Sequence, residues 1–205
     1  MSKAILMSIN PRWCELIARG EKTIEIRKTI PVDLRPPFKV YIYMTAGNAV
    51  YPVTINGAPY TCSNNGGKTV IGEFTCGNID FHHVSDLITK KDAEATLRGT
   101  CLTKKEVCDY IGYKFGDNIY AKPNLFYGWE ISDLVIYERA KSLRKFNGFC
   151  REAYKGYQNC DGCEYYYCEN NESSGFYEEC QCGGVKPLTR PPQSWCYVEE
   201  VEHHD

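Results

Sequence analysis

The sequence predicts an α+β fold: a mixed β-barrel with one short helix at its mouth and a small cysteine-rich insertion. Three observations lead there. Apolar and polar residues alternate over 4–9, 23–28, 38–44, 70–76, 127–137 and 195–200, the side-chain period of strands. A capped helical segment at 11–19 follows the first of these strands. The stretch from Cys150 to Cys182 holds six cysteines and few aliphatic residues, so it lacks the material for an apolar core. The expected divisions are a barrel over 1–146, an insertion over 147–185, and a final strand with an acidic tail over 186–205.

Each element has a local cause. Asn10 is a favoured N-cap, Pro11 suits the first helical turn, and Gly20 can end the helix in the left-handed region. Between them Trp13, Leu16 and Ile17 form an apolar stripe, with Cys14 as a small buried neighbour. Pro36-Pro37 breaks the chain before the strand at 38–44. Residues 45–69 are rich in Gly, Asn and Thr, and Asn56-Gly57 between β-prone residues signals a hairpin. A helix or helical turn is expected over 85–98, opened by Ser85-Asp86, and a shorter helix over 104–111, opened by the capping box Thr103 to Glu106. Further strands are expected at 118–121, 127–131 and 134–137, after which 142–146 leads out of the barrel. His82 and His83 are adjacent, so in a strand they point apart and make a poor joint metal site.

Net charge is −2 over 205 residues, which lacks the basic bulk of a duplex-DNA binder. The charge is unevenly spread: residues 1–39 carry +4 and residues 160–205 carry −8. Sixteen tyrosines suit strands and surfaces that stack on flat ligands. No secretory leader is legible, since Ala4–Ile9 is too short for an apolar h-region and Asn10-Pro11-Arg12 interrupts it. No stretch approaches the ~18 apolar residues of a membrane span. A cytoplasmic location without a membrane partner is expected, and there cysteines serve as thiols or metal ligands rather than as disulfides.

The stretch Gly20-Glu21-Lys22-Thr23-Ile24-Glu25-Ile26-Arg27 carries the candidate chemistry. Strand alternation puts Glu25 and Arg27 on one face as neighbours able to pair. Lys22 stands at the bend where the chain leaves the helix. A cation beside a carboxylate–guanidinium pair is suited to an anion or the edge of a nucleobase. The plainer alternative is an edge strand with a solvated charged face. Trp13 and Trp129 are the candidate aromatics for stacking a base.

Gly20-x-Lys22-x-x-Glu25-x-Arg27 resembles the G-x-K-x-x-E-x-R signature of the ASCH domain family, within the PUA-like superfamily. Ala4-Ile5-Leu6-Met7-Ser8-Ile9 resembles its opening strand, and Pro11-Arg12-Trp13-Cys14-Glu15-Leu16-Ile17 its first helix. Phe126-Tyr127-Gly128-Trp129-Glu130-Ile131-Ser132-Asp133-Leu134 resembles the closing aromatic strand. The run from Pro191 to Glu200 is similar to the ending of a bacterial and phage subgroup. The resemblance implies a PUA-like barrel that recognises RNA or a modified nucleotide or nucleoside between barrel and first helix. Lys22 and Arg27 would then contact phosphate or base edges, and Glu25 would orient Arg27. It also implies two alternatives. One is a hydrolase acting on RNA or a modified nucleoside, with Lys22 and Glu25 as catalytic candidates and Glu73, Glu94 or Glu106 as a distant acid. The N4-acetylcytidine amidohydrolases of the family have a Thr three residues after the Lys, where this chain has Glu25. The other alternative is a protein-interaction module using the acidic, Tyr-rich 160–180 region.

Cys160-Asp161-Gly162-Cys163 is a metal knuckle, because two intervening residues let both sulfurs face one ion. A structural zinc is expected on Cys150, Cys160, Cys163 and Cys180, with Cys182 as an alternative partner of Cys180 and Cys168 left over.

Overall fold

The computed structural model describes residues 2–46, 53–55, 58–60, 68–88, 90–114, 116–118, 124–149 and 185–201. In chain order the elements are β1 (Lys3–Ile9), α1 (Pro11–Ala18), β2 (Ile24–Arg27), β3 (Phe38–Met44), β4 (Val53–Ile55), β5 (Ala58–Tyr60), β6 (Thr69–Cys76) and β7 (Ile79–His83). A 3-10 turn (Val84–Leu87) and helices α2 (Lys90–Leu97) and α3 (Lys104–Ile111) follow. Then come β8 (Leu125–Glu130), β9 (Ser132–Ser142), a second 3-10 turn (Leu143–Lys145), β10 (Asn147–Phe149), β11 (Val185–Pro187) and β12 (Trp195–Glu199).

Seven strands form one sheet in the order β11-β10-β12-β1-β3-β6-β9, and β2-β8-β7 form a second. β1 and β3 run parallel, and the other ladders of both sheets are antiparallel. The parallel pair lies at the middle of the larger sheet and is buried on both faces, which suits its near-continuous apolar sequence. Ile5, Met7 and Ile9 of β1 meet Val40, Ile42 and Met44 of β3 in the main core. On the opposite face, Ala4 and Leu6 join Tyr41 and Tyr43 in a second cluster closed by Leu143 and Phe146.

The expected barrel does not close. The two sheets are separate ladders joined through Ile131, where the chain leaves β8 and enters β9. Asp133 takes a positive φ of 46° at this corner, and the β6–β9 ladder shifts register twice. Bulges of this kind bend a strand and raise its twist. They turn β9 onto β6 and away from β2. The smaller sheet packs over the main core instead, contributing Trp129, while Cys14 and Ile17 of α1 fill the space at one end.

Other expectations need correction. The helix or helical turn expected over 85–98 is both, in two pieces: the 3-10 turn and α2. Residues 142–146 do not lead out of the fold, because Leu143 and Phe146 pack on the second cluster and β10 rejoins the large sheet. β10 pairs with β11, Phe149 opposite Val185, so the intervening stretch leaves and re-enters the sheet at neighbouring strands. Asn118 lies outside any strand, and 119–121 are outside the described residues. The hairpin expected about Asn56-Gly57 is present in its flanks, with Ile55 of β4 opposite Ala58 of β5.

Candidate functional site

Helix α1 begins as its sequence requires. The Asn10 side chain accepts from the Arg12 amide at 3.1 Å, and Pro11 occupies the first turn. At the other end Gly20 adopts a φ of 72°, a conformation that costs glycine little. The Leu16 carbonyl accepts from the amides of Glu21 (2.9 Å) and Lys22 (3.1 Å). This reversal turns the chain back along the helix and sends the Lys22 side chain inward.

β2 pairs with β8, Glu25 opposite Trp129 and Arg27 opposite Tyr127. Directly opposed residues of an antiparallel pair share a face. Glu25 and Arg27 therefore lie on the face that carries Trp129 into the main core. Ile24 and Ile26 lie on the other, against Val84, Leu87, Val107 and Phe126. The charged face of this strand is thus the inner one, and the reading of it as a solvated edge is excluded. Lys22 is 1% exposed, Glu25 6% and Arg27 7%.

The three side chains form one buried ion group. Lys22 Nζ lies 3.3 Å from Glu25 Oε2, and Arg27 Nη2 lies 3.1 Å from Glu25 Oε1. Lys22 Nζ also donates to the Ile24 carbonyl at 2.8 Å and the Thr100 carbonyl at 2.5 Å, under the Trp13 ring at 5.3 Å from its centroid. An ammonium has three N–H donors, so these three acceptors saturate Lys22. Arg27 Nη2 donates to the Ser8 carbonyl at 2.8 Å, whereas its Nε is buried without a hydrogen-bond partner among the described residues.

The group forms the floor of a cleft of about 430 Å³. Trp13 and Tyr110 line it as aromatics, Asn10 and Gln193 as amides, and Glu106 and Asp109 as carboxylates. α3 brings the last two carboxylates and Tyr110, and its capping box is formed in full, with Thr103 and Glu106 each bonding the other's backbone. The Thr103 amide, with Arg12 3.1 Å away as a further contributor, holds the Glu106 carboxyl below the usual range. Burial pushes the Cys14 thiol well up, so it is no nucleophile at neutral pH.

Of the sequence candidates, Trp13, Lys22, Glu25 and Arg27 converge on this cleft. Trp129 does not. Its ring is fully buried between Phe38 and Trp195, with centroids 5.6 and 6.0 Å away, and is unavailable for stacking on a ligand. Among the distant acids, Glu106 reaches the cleft, Glu73 bonds Lys39 and Tyr137 elsewhere, and Glu94 lines a different groove beside α2. Sequence reasoning missed Thr100, Ser8, Tyr110 and Gln193. Only the capping box hinted at α3, and nothing local tied any of the four to β2. Cys150, Cys160, Cys163 and Cys180 lie outside the described residues, as do Cys168 and Cys182. Among the described residues no cluster of His, Cys, Asp and Glu is placed to hold a metal. His83 caps the 3-10 turn and His82 stacks on Phe126. No described helix is long and apolar enough to cross a membrane.

Fold and site together define an α+β protein of two packed sheets whose buried Lys–Glu–Arg group underlies an open cleft. Among solved structures the chain is similar to an ASCH protein from Zymomonas mobilis. Identity is 20%, coverage is 68% of this chain and 73% of that one, and the TM-score is 0.45. A mutant form of the same protein gives 20% identity, coverage of 69% and 77%, and a TM-score of 0.44. The N-terminal domain of Staphylothermus marinus McrB follows at 12% identity, with coverage of 71% and 82% and a TM-score of 0.38. No protein-family profile and no curated protein matches the sequence.

Proposed function

We propose that this chain binds RNA or a modified nucleotide by taking an unpaired base into the Trp13–Arg27 cleft. The observation that carries the reading is Arg27. Its guanidinium is held by Glu25 and the Ser8 carbonyl, yet its buried Nε–H has no acceptor among the described residues. A buried donor without a partner costs roughly 1–3 kcal/mol, and a ligand acceptor that reaches it by a small shift of the cleft wall recovers it. Trp13 and Tyr110 supply the apolar faces a base needs, and the amides of Asn10 and Gln193 supply edge contacts. Among the described residues the lining carries three carboxylates and two cations, and Arg12 and Lys105 pair with Glu106 and Asp109, so the carboxylates are all engaged and the cleft suits a neutral base. Both Glu25 oxygens are engaged by cations, so taking a substrate proton would break an ion pair. That geometry favours binding over base-catalysed hydrolysis. It also changes the role expected of Lys22, which serves as the pin that fixes Glu25 rather than as a phosphate contact.

The test is calorimetric titration of the full chain with cytidine, N4-acetylcytidine, the other ribonucleosides and a single-stranded RNA decamer. Arg27→Lys keeps the charge but loses the Nε donor. It is expected to weaken binding by about 10- to 150-fold, the worth of one charge-assisted hydrogen bond of about 1.5–3 kcal/mol. Wild-type protein that binds none of these at low salt would refute the reading. So would an Arg27→Lys protein that is folded and binds as the wild type does. Mass analysis of the recovered ligand separates binding from turnover, and intact ligand is the expected result.

A further inference from the structure

The Arg27 cleft does not stand alone. Ser8, Thr45 and Gln193 line both it and a second cavity of about 490 Å³, which continues over Lys68 and Arg144. The two differ sharply in charge. Glu25, Glu106 and Asp109 face the first, whereas among the described residues no carboxylate lines the second. Lys68 and Arg144 are exposed, and neither side chain forms an ion pair or hydrogen bond with a described residue. Their backbones are anchored: the Lys68 amide bonds the Met44 carbonyl at 2.7 Å, and Arg144 sits in the 3-10 turn capped by Ser142.

A third group points the same way. Tyr43 is 2% exposed, its ring packs in the second core cluster, and it lines this cavity. Its hydroxyl makes no hydrogen bond to a described residue, and burial raises its pKa, so it stays a neutral donor. Among the described residues, two cations without partners, a donor phenol, the hydroxyl-bearing side chains of Ser142 and Thr189, and no carboxylate match an anion rich in acceptor oxygens.

We infer that the second cavity is a phosphate subsite, taking the phosphodiester of the nucleotide adjoining the one whose base fills the Arg27 cleft. The inference rests on the base reading of that cleft. It deepens that reading: the ligand is a single-stranded oligonucleotide rather than a free nucleoside. Ser8, Thr45 and Gln193 form the ridge over which sugar and backbone pass from one cavity to the other. The division of labour is a common one, with backbone contacts positioning the strand and the base contact selecting it.

The experiment compares a nucleoside, its 3′- and 5′-monophosphates, a dinucleoside monophosphate and an RNA decamer. Each is titrated into the full wild-type chain and into the Lys68→Ala/Arg144→Ala double variant at several salt concentrations. Both substitutions are at exposed side chains, and unchanged thermal unfolding verifies the fold. In wild type, phosphate-bearing ligands should bind about tenfold tighter than the nucleoside. Their log affinity should fall with log salt by about 0.7 for each phosphate engaged. The double variant should lose that gain and its salt slope while holding the nucleoside as before. Nucleoside binding with no gain from phosphate, or a gain the double variant keeps, overturns the subsite and leaves the base reading standing. A strand that binds through Lys68 and Arg144 with Arg27→Lys silent overturns both, as does the absence of any binding.

Discussion

Lys22→Met is the sharpest test of the buried ion group. The substitution replaces an ammonium with an apolar chain of similar length at a position 1% exposed. It strands three acceptors: Glu25 Oε2 and the carbonyls of Ile24 and Thr100. Breaking a buried pair by removing one partner costs about 3–5 kcal/mol, because the other charge stays behind without its counter-ion. Stability in natural domains is about 5–15 kcal/mol, so about a fifth of it or more is at stake. At about 2–4 °C per kcal/mol for a chain of this size, the melting temperature should fall by about 6–20 °C. Glu25→Gln in the same chain removes the stranded carboxylate while leaving an oxygen for Arg27 Nη2. The double variant should therefore be less destabilised than the two single losses added together, by 1 kcal/mol or more. Urea unfolding with thermal melts reads all four proteins of the cycle. Single losses that add within about 0.5 kcal/mol, or a Lys22→Met protein that melts within about 2 °C of wild type, would refute the reasoning. Lys22 would then be an independent side chain, and Glu25 would owe its position to Arg27 alone.

Two further outcomes are expected. Gly99 has a φ of 75°, its carbonyl accepts from the amides of Thr23 and Ile24, and a Cβ there would come 2.4 Å from Thr23 Oγ1. Gly99→Ala should cost more than about 1 kcal/mol in urea unfolding and shift the Thr100 carbonyl off Lys22, whereas a neutral effect would show that this turn does not position the ion group. The cysteine block should hold about one zinc per chain, measured by elemental analysis of protein purified without chelator, and Cys160→Ser with Cys163→Ser should remove it. Zinc-free protein, or zinc that survives both substitutions, would refute the knuckle.

Several features of this protein were legible because their causes are local. Asn10, Pro11 and Gly20 bound one helix, and Thr103 with Glu106 opens another, since a cap is a contact between residues a few positions apart. The pairing of Glu25 with Arg27 follows from the two-residue period of a strand and is present at 3.1 Å. The pairing of β4 with β5 agrees with the hairpin signal read in the sequence Asn56-Gly57. Period and capping say what an element is and which residues share a face. They do not say what covers that face.

Tertiary structure decided the rest. The Glu25–Arg27 face is buried because β8 places Trp129 beside it and the large sheet closes over both, which no property of residues 20–27 requires. Trp129 ended in the core and Trp13 at the cleft, although both are aromatics near the signature, because Trp129 lies on the inward face of β8 and Trp13 on α1 beside Lys22. The carbonyl that holds Lys22 belongs to Thr100, 78 residues away, and the carbonyl that orients Arg27 belongs to Ser8 on a strand of the other sheet. The open architecture itself turns on the corner at 131–133 and on two register shifts in one ladder. Local sequence set the elements and the charged group they carry. Long-range pairing, whose partners are chosen by sheet order rather than by neighbours in the chain, decided that the group is buried and pinned, with the Arg27 Nε–H left without a partner among the described residues.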